Sequence, residues 1–187
     1  MSHWTDFAGP IFVGVAAAAV WIWRRRRDAP PLGIVLLLKA PRPLNAEILA
    51  FAFSKVTGRG FHAPTPEEAD ECPGPEDLPA GDAVIGHSPS FLAKSGETLF
   101  LINSVPAPYF PPSTSFANHR AWLSAEILHP ESETPENYRI VGRVLAELIG
   151  PDCVALYHPE SKRVVPANLE RTTELLRSED PIAATFR

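Results

Sequence analysis

Of the six histidines, the five at 62, 87, 119, 129 and 158 lie beyond the N-terminal tail and are the side chains best suited to acid–base chemistry near neutral pH. Two of them stand at the ends of strand-like runs. His119 lies between Asn118 and Arg120, just ahead of AWLSAEI. His158 follows CVALY and has Ser161 three residues on. Either could act as a base or ligand at the mouth of a sheet, and a hydrolase built on His119 or His158 is one reading. The competing reading is a turn or edge residue that hydrogen-bonds locally. The patterns that would decide for chemistry are missing. A nucleophile elbow needs G-x-S-x-G, absent around Ser161 and around His87-Ser88. A zinc site needs His and Cys at paired short spacings; these histidines are scattered and there is no C-x-x-C. Gly58-Arg59-Gly60 ends a helical pattern where a phosphate cradle would begin one. No catalytic residue, metal or cofactor is therefore assigned, and the chain is read as a non-enzymatic binding domain first.

The residues that could bind a partner are aromatic. Tyr109 and Phe110 sit in the proline-rich segment PAPYFPP. Trp122 lies on the outward face of the following strand. Tyr and Trp combine large area with a polar tip, which suits a protein interface. The same three residues could equally serve to cover an open sheet face.

The elements that position these residues follow from periodicity and punctuation. Leu32 to Leu38 (LGIVLLL), bounded by Pro31 and Pro41, reads as a buried strand too short to span a bilayer. Asn45 caps a helix over Ala46 to Thr57, with an apolar stripe from Ile48 to Val56 and Gly58 as its stop. Ala83 to His87 is a short strand. Phe91 to Lys94 and Thr98 to Val105 flank the hairpin turn Ser95-Gly96-Glu97. Arg120 to Leu128 alternates, with Ala121, Leu123, Ala125 and Ile127 on the core side and Trp122, Ser124 and Glu126 on the other. Thr134-Pro135-Glu136 opens a second amphipathic helix that Gly150-Pro151 stops. Cys153 to Tyr157 is a further buried strand, and Asn168 caps a last short helix through Leu176. This order predicts an α+β domain over 32–187: an antiparallel-rich sheet with helices on one face, most simply the ferredoxin-like split βαβ arrangement.

Two stretches fall outside that scheme. Residues 62–81 carry five prolines and six carboxylates with no apolar period, and read as a solvated acidic loop. Their spacing fits no EF-hand. Residues 7–23 are uncharged and apolar, and Arg24 to Arg27 follow at once. That is about 25 Å of helix, at the short end of the spanning range, with Trp4, Trp21 and Trp23 at interfacial positions. The expectation is a single transmembrane helix after an external tail at 1–6, with 24–31 as basic stop and linker. The lipid bilayer is then a partner through 7–23. The positive-inside rule puts the N-terminus outside the inner (cell) membrane and the domain in the cytoplasm. A cleaved signal peptide would need its positive charge ahead of the apolar run.

Composition agrees. The 187 residues carry a formal net charge of −5. With Asp6 and Arg24 to Arg27 set aside, 13 basic residues face 21 acidic ones. Such a domain is a poor candidate for nucleic acid, which selects the opposite sign. The two cysteines, Cys72 and Cys153, make no disulfide framework and should be free thiols.

Four stretches are similar to a bacterial family of unknown function: GIVLLLK with AEILAFAF, LINSVPAPYF, NHRAWLSAEI, and VGRVLAELIGPDCVALYHPES. The resemblance covers Leu32 to about Arg177 and omits the anchor and the acidic loop. It implies an α+β fold and a register of elements. It carries no activity, so it assigns no functional residue.

Overall fold

A computed structural model of the chain describes residues 32–63, 81–111 and 118–187. The expected tail, anchor and linker at 1–31, most of the acidic loop, and Cys72 and Pro112 lie outside the described residues. Among the described residues no helix is long and apolar enough to cross a membrane.

β1 (Leu32–Leu38) is an interior strand of a seven-stranded sheet. Ile34 to Leu38 are buried on both faces, as an interior strand covered on each side requires. On one side it pairs antiparallel with β5 (Ala121–Ile127), on the other with β6 (Cys153–His158). β4 (Thr98–Val105) adds to β5, and β3 (Ser90–Ser95) and β2 (Ala83–His87) complete that side. β7 (Arg163–Pro166) closes the other. The full order is β2-β3-β4-β5-β1-β6-β7. Its inner four strands, β4-β5-β1-β6, carry the ferredoxin-like order, with α1 (Ala46–Thr57) after β1 and α2 (Pro135–Leu148) after β5. The β2–β3 hairpin and β7 extend it at either edge.

Both long helices form where their caps predict. The Asn45 side chain accepts the Ile48 N–H at 2.8 Å, and Gly58 ends α1 at φ 70, a left-handed conformation that glycine adopts without Cβ strain. Thr134 caps α2 and Pro135 occupies its first turn. Their apolar stripes pack on Ile34, Leu36 and Leu38 of β1 and on Leu123, Ala125 and Ile127 of β5. Phe53 meets Phe61 and Phe100 with ring centroids 5.2 and 5.6 Å apart. Each fully buried side chain of this size stabilises by about 1.5–3 kcal/mol.

Sequence periodicity misses two elements. β7 has only four residues and ends in Pro166, a composition that reads as loop. α4 (Pro181–Phe186), after α3 (Leu169–Leu176), is six residues long, too short for a helical period to register. It still matters to the core, because Phe186 is buried.

Candidate functional site

The helices cover one face of the sheet. The other face carries Val35 and Leu37 of β1 and Ala155 of β6, with Tyr109, Phe110, Trp122, Tyr157 and Val164 packed against them. The connection after β4 returns across this face and lays Tyr109 and Phe110 onto it. Tyr109 meets Trp122 edge-on at 5.2 Å, Phe110 at 5.1 Å and Tyr157 at 5.4 Å. Phe110 meets Tyr157 at 4.9 Å. The structure thus brings all three aromatic candidates into one cluster and adds Tyr157, which the sequence reading left within a buried strand. The signal was available: Tyr157 alternates with the buried Leu156. All four rings are only partly buried, so they both cover the face and present a surface. Edge-on aromatic pairs contribute roughly 0.5–1.5 kcal/mol each beyond area burial, which makes the cluster stiff. The Tyr109 phenol is pushed up to about 12, by burial first and then by Tyr157 and Glu126, so it stays protonated and able to donate.

His119 holds this cluster together. Its ring is buried, at 1% exposure. Nε2 accepts the N–H groups of Tyr109 at 2.8 Å and of Phe110 at 3.1 Å. The single lone pair of Nε2 is thus shared between two backbone N–H groups and is not offered to a substrate or a metal.

Next to the rings a polar ladder runs across three strands. Ser90 Oγ donates to Asn103 Oδ1 at 2.8 Å, Asn103 Nδ2 donates to Ser124 Oγ at 3.2 Å, and Ser124 Oγ donates to Glu126 Oε1 at 2.8 Å. Glu126 lies opposite Gly33 of β1. A Cβ on Gly33 would come within 2.9 Å of Glu126 Cγ, so the glycine makes room for the carboxylate stem. The alternation had placed Ser124 and Glu126 on the outward face, but gave no reason to expect them buried.

His158 sits elsewhere. By register it falls opposite Ile34, whereas His119 stands two residues before Ala121, which is opposite Leu38. Four residues of strand, about 13 Å, separate those points. His158 stacks on Phe186 at 5.2 Å on the helix side, while His119 faces Phe110 at 6.0 Å on the other. The two histidines share no site. His158 Nδ1 lies 2.8 Å from Ser161 Oγ, and Glu160 is 3.9 Å from Nε2. Burial depresses the imidazole below its usual value, against the opposing pull of Glu160 and Glu133. No group of three His, Cys, Asp or Glu able to hold a metal occurs among the described residues.

No family model matches the chain, and no curated protein or solved structure does either. The resemblance to a bacterial family thus adds nothing to the site, which rests on the residues themselves.

Proposed function

We propose that the chain is a membrane-tethered, non-enzymatic binding domain whose helix-free sheet face docks a protein partner through Tyr109, Phe110, Trp122 and Tyr157. One observation carries the reading. Four aromatic rings from a loop and two strands converge on one sheet face, partly exposed and fixed from beneath by His119. A preorganised aromatic patch loses little entropy on binding, and such residues dominate interface energetics. The partner chemistry that fits is a segment offering apolar side chains to the rings and hydrogen-bond acceptors to the tyrosine hydroxyls.

The tether belongs to residues 7–23, by the hydropathy and arginine arguments above, with the domain on the cytoplasmic side of the cell membrane.

The hydrolase reading through His119 or His158 has less support. His119 is engaged by two backbone donors, and among the described residues no group of three His, Cys, Asp or Glu able to hold a metal accompanies the Ser161–His158 pair. The experiment is complementation of a deletion strain with Tyr109→Ala/Trp122→Ala, and separately with His158→Gln. Loss of function in the aromatic variant with normal membrane abundance supports the binding reading. Loss only in His158→Gln overturns it.

A further inference from the structure

A cavity of about 470 Å³ opens between the end of α1, the β3–β4 turn and the first turns of α2. It is separate from the aromatic face. Arg59, Arg139 and Arg143 line it, with Val56 and Ile140 as apolar neighbours. Three guanidinium groups around one cavity are unexpected on a domain with an acidic balance.

Their present counter-charges are the chain's own carboxylates. Arg59 Nε is 3.1 Å from Asp82 Oδ2. Glu179, in the link between α3 and α4, spans the other two: Oε2 lies 2.6 Å from Arg139 Nη2 and Oε1 lies 3.1 Å from Arg143 Nη2. Glu136 also pairs with Arg139. Glu179 and Glu136 are exposed, at 74% and 62% of their side chains, so these pairs are weak and exchangeable. The Nε–H of Arg139, by contrast, is buried and has no hydrogen-bond partner. A carboxylate that gives one oxygen to each arginine cannot also satisfy that donor. A phosphate group has the additional oxygen and the additional charge.

We propose that this cavity binds a small phosphorylated molecule whose phosphate competes for Arg139 and Arg143 with the exposed Glu179 carboxylate, which pairs with both without lining the cavity. The ligand's phosphate would take Arg139 side-on through Nε and Nη2, take Arg143 with a further oxygen, and displace Glu179 to solvent. The volume suits a small phosphorylated metabolite and is ample for pyrophosphate.

The test is calorimetric titration of inorganic pyrophosphate into the full chain in non-ionic detergent, at fixed ionic strength. Glu179→Gln removes the internal competitor and should tighten binding about fivefold or more, while Arg139→Gln and Arg143→Gln should each weaken it at least about tenfold. Thermal unfolding of each variant establishes that it is folded. Arg143→Lys, which keeps charge but loses the fork, should fall between wild type and Arg143→Gln. Three results would overturn the proposal. One is no binding to wild type or Glu179→Gln up to ~10 mM, weaker than any useful affinity. Another is binding indifferent to both glutamine substitutions at the arginines. The third is Glu179→Gln weakening binding in step with them, which would make Glu179 a brace and not a competitor.

Discussion

The Nε2 atom of His119 accepts the backbone N–H of Tyr109 at 2.8 Å. Through that contact a buried imidazole just ahead of β5 sets the position of a loop residue ten places earlier. His119→Ala would leave two buried N–H groups without an acceptor and a cavity beneath the rings. The expected cost is about 2–4 kcal/mol in urea unfolding. Because Trp122 packs edge-on against Tyr109, its fluorescence should shift to the red in the folded variant as the loop lifts. An unchanged emission maximum would mean that the loop is held by its own ring contacts.

Acidification should weaken the fold through His158. Its folded value lies below the usual 6.5 because the ring is buried. The unfolded chain therefore takes up the proton first as pH falls. The stability this group contributes is complete above about 6.5 and declines below it, until the folded state also protonates. The melting temperature of the wild type should drop between about pH 7 and 5.5, above the range where ordinary carboxylates titrate. His158→Gln should flatten that slope. An equal slope in the variant assigns the effect to other groups.

Gly33 and Gly60 should respond oppositely to alanine. A Cβ at Gly33 would sit 2.2 Å from the Ala125 carbonyl oxygen and 2.8 Å from Glu126 Cα, in the most central strand pair. Backbone has to move, at a cost of about 3 kcal/mol, or the chain fails to fold. At Gly60 no described residue lies within 4 Å of an added Cβ and φ is ordinary, so Gly60→Ala should change stability by less than about 0.5 kcal/mol. Paired melting curves check both.

The Cys153 thiol should be inert in the folded protein. Burial pushes it up to about 12, and its Sγ lies 3.6 Å from the Ala155 carbonyl oxygen. In a Cys72→Ser background, maleimide should label the chain only after unfolding, since the thiolate is the reactive form. Rapid labelling under native conditions would contradict the partly buried placement.

How far the fold could be read in advance depended on the range of the forces involved. Asn45, Gly58, Thr134 and Pro135 act within one turn of their own helices, so they fixed the bounds of α1 and α2 from local sequence. The strict alternation of Ala121, Leu123, Ala125 and Ile127 named the core face of β5 for the same reason. The aromatic cluster was half legible. Tyr109, Phe110 and Trp122 were recognisable by type, but their meeting depends on where the β4–β5 connection returns. Tyr157 was hidden in a strand that read as uniformly buried. The ladder from Ser90 to Glu126 and the pairing of Arg42 with Asp152 span three strands and 110 residues of chain, beyond any periodicity. The arginine cavity is of the same kind, since Arg59 and Arg143 come to one cavity only when the end of α1 meets α2.

The central claim, that the aromatic face is where a partner docks, is tested most directly by photo-crosslinking in native membranes. A benzoylphenylalanine at position 110 should give a discrete adduct, lost when Trp122→Ala is added to the same chain. The same probe at Glu170, on exposed α3, should give none. An adduct formed equally at position 170, or one at 110 that survives Trp122→Ala, would contradict the account.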